Sequence, residues 1–573
     1  MMRKYVLPFF CLALAGALQI SAQTINVTTS RNNNWRTGSN TSEKILTTTN
    51  VTMTTFGKVC SAPVDGGIYA QPLIVTQVPF TVGTTTTKHN IAYVVTQNDT
   101  LYAIDANNCT VLNSVSLVPV IPGCTPATTC EYPVDCHYVG EGGCDTVAPT
   151  VGALSTPVIN ATFGSTGNTG TIYLVAETQA GSGTTITAWN HRIHALDITT
   201  LNELTGSPAL VAGSYLGATL ASHQQVQRPG LLFLKGVGPN GDNMVYFGLS
   251  LMDGAPQKLG EKPYGWVFGY DTTNLSAQPS GLPYVFCTTP HGVGPNGPGG
   301  GVWSDGVGIA AGQASATDPT TYLYIATGDG TFDVNTGGVD YADSFVKLTP
   351  TLQVADYFTR YNELTAYTPG NVDYGSGGMV LIPDNTFKKH PYIAVNASKD
   401  ANIYVVDRDS PGEFNGLANT NLETVTGKFA FHNTPAYWNL TLFYNTIGGV
   451  LKSYPLKGTC SPGPVCSTGI HYSKVSFITG STPSVSTLGN TAGTQIVWSL
   501  YTADSATGGI PAVLYAFNAT NLAELYNSSQ CGTQDTAGWS VRFTTPTIAN
   551  GFVYVGTQSE LDVYVVLPSR TCP

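Results

Sequence analysis

The chain has 573 residues with 24 Lys+Arg against 35 Asp+Glu, a formal net charge of −11, and only 10% of its residues are charged, against about 25% in ordinary domains. Its cations form no runs, so it lacks the clusters that neutralise phosphates, which excludes nucleic acid and anionic membrane as partners. The nearest approach to a basic patch, Lys388-Lys389, is expected to be a solvated loop.

The first element is a leader. MMRK is followed by an apolar run from Tyr5 to Ile20 and small residues in ISAQ, the layout of a signal peptide over 1–22, with the mature start near Gln23. No lipobox precedes Cys11, and no later segment is long and apolar enough to cross a bilayer. The expectation is a secreted or periplasmic, soluble and monomeric protein. An N-terminal arm over 23–55 leads into a single domain over 56–573.

From residue 69 onward, units of the same form recur. A first strand begins near a Thr-Pro-like pair in YAQPLIV, LSTPVIN, QRPGLLF, NTPAYWN, STPSVST and TTPTIAN, and two glycine-rich variants, GVGIAAG and GSGGMVL, hold the same place. Proline suits a strand start, because it lacks the N–H that a central ladder requires and keeps its predecessor extended. Second strands such as IAYVVTQ and GFVYVGT follow, then third strands such as LYAIDANN and VYVVLPSR. Asp105, Asp197, Asp271 and Asp407 close third strands, where an Asx turn favours a carboxylate. The last unit stops after its third strand, while FGKVCSAPVDG near the N-terminus has no unit of its own. A strand from this segment would complete the last unit and close the ring. The architecture is therefore an all-β, eight-bladed β-propeller with an N-terminal strand closing the last blade. Seven blades is the alternative, because the unit from Asn433 is the least regular.

Cysteines punctuate this wheel. Of twelve, Cys11 lies in the leader, leaving eleven in an exported chain, where disulfides are their first expected use. Cys124, Cys130, Cys136 and Cys144 crowd an insertion at 121–146, and Cys460 and Cys466 flank a short loop. The crowded set lacks the C-x2-C knuckles of structural zinc even with His137 adjacent, so stapling of the insertion is expected. An odd total leaves one thiol unpaired within the chain.

The unit AYVVTQNDTLYAIDANNCTVL resembles the repeat of the pyrroloquinoline-quinone (PQQ) type propellers, the superfamily of quinoprotein alcohol dehydrogenases. The stretches QRPGLLF, GGGVWSDGVGIAAG, ATGDGTFD and YADSFVKLTP resemble a group of exported bacterial PQQ-like repeat proteins. The resemblance covers nearly the whole mature chain and implies the fold. It also implies PQQ and calcium as the cofactors of a dehydrogenase, although the same repeat builds non-enzymatic scaffolds of outer-membrane protein assembly. The adjacent-cysteine disulfide of the alcohol dehydrogenases has no counterpart here.

The candidate site lies where the repeat is broken. Trp303 and Asp305 in GGGVWSDGVG, Asp373 in DYGSGG, and His223 and Arg228 in HQQVQRPG stand at or near first-strand starts, which face the channel of a propeller. They are the expected ligand- or cofactor-binding residues, and Asp305 and Asp373 the candidate catalytic carboxylates. Asp329, Asp333 and Asn335 in GDGTFDVN supply hard oxygens of the kind calcium prefers, without the spacing of an EF-hand. GVGPNG, at Gly236 and again at Gly292, fits G-x-G-x-x-G but opens no helix, so both are turn loops. There is no G-x-S-x-G elbow and no H-E-x-x-H motif. The sequence thus points to a binding or interaction module for an unidentified protein, small molecule or glycan, with a PQQ- and calcium-dependent oxidoreductase of alcohols or sugars as the alternative.

Overall fold

A computed structural model describes residues 24–572 apart from 139–143, 145–146, 183–184, 224, 252–262, 293–298, 316, 364–371 and 504–508. The leader and most of the second GVGPNG lie outside the described residues. Blade one sets the pattern with antiparallel strands Leu73–Val82, Thr85–Thr96, Thr100–Asp105 and Val111–Ser116. Seven further sheets repeat it, with innermost strands Val158–Thr162, Leu232–Leu234, Ala310–Gly312, Val380–Leu381, Ala436–Trp438, Ser484–Ser486 and Thr547–Ala549. The unit from Asn433 is a regular four-stranded sheet ending at His471–Phe477, so the count is eight.

Each blade packs a face of Val, Ile, Leu and aromatic side chains on its neighbour. The four aspartates behind third strands all form Asx turns: Asp105 accepts from Asn107 N at 2.9 Å, Asp197 from Thr199 N at 2.7 Å, Asp271 from Thr273 N at 2.7 Å and Asp407 from Asp409 N at 3.0 Å.

Phe56–Pro63 pairs antiparallel with Glu560–Val566 and closes blade eight, as the unmatched N-terminal segment implied. The ring of Phe56 sits 5.5, 5.0 and 6.4 Å from those of Trp498, Tyr526 and Tyr564. Beside it Asp535 accepts from Lys58 N, Tyr526 Oη and Arg570. Disulfides fasten the seam. Cys60 of the closing strand is joined to Cys109 of blade one, and Cys531 to Cys572 of the tail. The expected staples also form, Cys124–Cys130, Cys136–Cys144 and Cys460–Cys466, which leaves Cys287 as the buried unpaired thiol among the described residues. Asp135, Cys136, His137 and Cys144 lie close enough to hold an ion, but the two sulfurs are spent on each other.

The arm does what its sequence does not announce: residues 25–40 run through the central channel and bond to every blade from inside. Val27 exchanges backbone hydrogen bonds with Ile74 of blade one, and Thr28 O accepts from Ile159 N of blade two. Arg36 Nη2 donates to Leu231 O at blade three. Ala311, Leu381, Tyr437 and Val485 of blades four to seven donate to the carbonyls of Asn34, Trp35, Thr37 and Gly38. Asn40 Nδ2 completes the circuit on Ile548 O of blade eight. Arg31 and Arg36 are wholly buried, and their guanidiniums serve main-chain carbonyls: Arg31 reaches Pro483 O at 2.6 Å and Pro435 O at 2.8 Å, while Arg36 reaches Ile309 O at 2.9 Å and Ser30 O at 3.0 Å. Gly38, with φ +67°, is needed because a Cβ there would lie 2.1 Å from Arg31 Nη2.

Candidate functional site

The end of the channel where the first strands begin forms a mouth lined by the Thr-Pro-like turns. Proline at six of these turns keeps the preceding residue extended. Blade four replaces the turn by Ser304–Gly306, a 3-10 turn in which Ser304, Asp305 and Gly306 have φ of 48°, 49° and 75°. Left-handed geometry at two successive non-glycine residues is costly and is held only by strong surroundings.

That geometry carries Asp305 across the axis. Its Oδ2 accepts from Thr434 N of blade six at 3.1 Å and from the Thr482 hydroxyl of blade seven. Oδ1 is buried and makes no hydrogen bond among the described residues. Burial pushes the carboxyl up to about 7, opposed by Thr482, Arg228 and Arg31. A cavity of about 10 Å³, space for one water, opens beside it between Thr482 and Phe543.

Arg228 comes in from blade three. It is 4% exposed, lies 5.8 Å over the ring of Tyr69 and 5.1 Å over that of Phe543, and donates from Nη1 to Leu154 O at 3.3 Å. Its Nη2 is buried and makes no hydrogen bond among the described residues. A buried guanidinium donor left unbonded is expensive. Aromatic faces on two sides stabilise its charge without consuming its donors.

Positive charge continues around the mouth. Arg542 stands 4.9 Å over Phe543, and Lys399 forms an ion pair with Asp373. His432 is pulled down to about 3, first by burial and then by Lys399 and Arg542, with Asp373 opposing. It is therefore neutral at physiological pH. Asp373 is committed on both oxygens, Oδ2 to Lys399 and Oδ1 to Asp329 N at 2.9 Å. Asp329 is pushed up by burial and by the charges of Asp373 and Asp343. Behind it Arg360 bridges Asp343 at 3.0 Å and Glu363 at 3.0 Å.

The structure thus joins Asp305 to Arg228 through the field each places on the other, and sets Asp373 in the neighbouring acidic group. Trp303, half-buried, precedes the strained turn. His223 is drawn aside and lies tilted against Trp189 with ring centroids 4.0 Å apart. Of the calcium candidates, Asp329 faces Asp373. Asp333 turns onto Asp340 N at 2.9 Å, and Asn335 is exposed. Sequence reasoning passed over Tyr69, His432, Arg542, Phe543 and Lys399. A signal for three of them exists in the repeat: Tyr69, His432 and Phe543 all stand three residues before the proline of their turns.

No family model and no curated protein matches this chain. Solved structures do. The chain is similar to quinohemoprotein alcohol dehydrogenase from Comamonas testosteroni, at 14% identity and TM-score 0.52 over 96% of this chain and 81% of that one. A second quinohemoprotein alcohol dehydrogenase, from Pseudomonas putida HK5, is similar at 12% identity and TM-score 0.55 over the same shares. A europium-containing methanol dehydrogenase is similar at 13% identity and TM-score 0.55 over 94% of this chain and 98% of that one. Together with the eight sheets, these likenesses define the fold class: the eight-bladed propeller of the quinoprotein alcohol dehydrogenases.

Proposed function

We propose that the protein is an exported binding module whose ligand seat is the channel mouth, and that the ligand is a flat organic anion. The observation that carries this is Arg228, a buried guanidinium sandwiched toward Tyr69 and Phe543 with Nη2 unbonded among the described residues. Arg542 and Lys399 add positive charge on the same rim in a chain of net charge −11, and an aromatic wall beside cations suits a planar carboxylate. Five disulfides fit an oxidising compartment outside the cytoplasm.

A second reading, a PQQ- and calcium-dependent oxidoreductase, is favoured by the crowding of Asp329, Asp373 and Asp343, which a divalent cation would relieve. In that case Arg228, Arg542 and Lys399 would hold the carboxylates of the quinone, which when bound supplies the two-electron acceptor. Calcium would have to compete with Lys399 for Asp373. Against this reading stands the lack of adjacent cysteines.

Reconstitution separates the two. The purified protein is loaded with PQQ, with and without calcium, and assayed for quinone absorbance after gel filtration and for dye reduction with alcohols and sugars. Retention without turnover supports the binding module, calcium-dependent turnover supports the oxidoreductase, and absence of both removes the mouth as a seat for a carboxylated quinone.

A further inference from the structure

A second recess lies on the face opposite the mouth, between blades five and six. It is formed by the first turns of those blades and by the loop that the Cys460–Cys466 disulfide closes. Its volume is about 630 Å³, within the range of small-molecule sites and far above what one water needs. The floor is apolar: Phe387, Ile393 and Leu456 are buried, and Leu422 and Leu440 form a wall.

The rim is cationic. Lys388, Lys389 and Lys457 surround it, all exposed, and none has an ion-pair partner among the described residues. These are three of only 24 Lys+Arg in the whole chain. The nearby histidine, His390, is tied to Asp407 at 2.7 Å. The one acid beneath the loop, Glu423, is 5% exposed and spends Oε2 on Val465 N at 2.8 Å, so it supports the loop from below. Within a net-negative protein this concentrates positive potential over one apolar hollow.

We propose that this recess binds a small amphiphilic organic acid, with the acyl or aryl body on Phe387, Ile393 and Leu456 and the carboxylate among Lys388, Lys389 and Lys457. Apolar burial supplies the affinity and the lysines select the charge. The site is separate from the mouth, so it stands or falls without the function proposed there.

Octanoate is the probe, with octanol and octylamine as matched neutral and cationic controls, titrated calorimetrically into the full-length protein. A variant carrying Lys388→Gln, Lys389→Gln and Lys457→Gln serves as comparison. These side chains are exposed, so the thermal midpoint is expected to be unchanged. Saturable octanoate binding that weakens about tenfold or more in the variant, with octanol and octylamine binding far less tightly to the wild type, is the expected result. Equal affinity for octanol, unchanged affinity in the variant, or no saturable binding of octanoate would overturn the proposal.

Discussion

At the residue scale, Asp305 is the most informative side chain. Its carboxyl is pushed from 3.8 up to about 7 in the folded protein, so between those values the native state keeps a proton that the unfolded chain has lost. This group therefore favours folding at low pH, and its contribution falls away as the pH climbs through about 7. Asp305→Asn keeps an acceptor for Thr434 and Thr482 and removes the titration. The variant is expected to lose less thermal stability than wild type between pH 5 and pH 8, read by parallel melting curves; identical slopes would refute the assignment. Gly38→Ala is expected to cost about 2 kcal/mol in urea denaturation, because the backbone is left-handed and the added methyl meets Arg31.

The residue scale is also where sequence reading divides. Asp105 was legible as a turn-former because an Asx turn is a local matter, settled within two residues. The segment of Asp305 was legible as a break in the repeat, yet the reach of its carboxylate to Thr434 and Thr482 depends on two blades distant in sequence. Lys399 was illegible because nothing local separates it from a solvated lysine, and only the folded ring brings it to Asp373.

At the element scale, the arm and the closing strand decide stability. Arg36 donates to Thr29 Oγ1, Ser30 O, Leu231 O and Ile309 O, so Arg36→Met would leave several buried carbonyls unbonded. A loss of about 3 kcal/mol is expected by chemical denaturation. Phe56→Ala, which opens a hole among Trp498, Tyr526 and Tyr564, is expected to cost about 3–4 kcal/mol. The closing strand was readable because it is the one strand pattern lacking a unit. The arm was readable only as a segment outside the repeat. Asn34, Trp35 and Thr37 bind through their carbonyls, which every residue carries, so no side-chain pattern marks them.

At the scale of the whole molecule, eight blades make a rigid ring that is closed three times over: by a shared sheet, by the Cys60–Cys109 and Cys531–Cys572 bridges, and by a hub bonded to all blades. Eight blades were legible from periodicity, because each unit must bury its faces on its neighbours, and the regular sheet of the unit from Asn433 removes the seven-blade alternative. The chemistry was not, because the mouth gathers residues far apart in the sequence, from Tyr69 of blade one to Phe543 of blade eight. The measurement that bears most directly on that mouth compares wild type with Arg228→Gln for retention of PQQ through gel filtration, after equal melting midpoints have been verified. Wild type is expected to retain PQQ stoichiometrically, and the variant to bind it about tenfold or more weakly. Equal retention by both, or none by wild type, would contradict it.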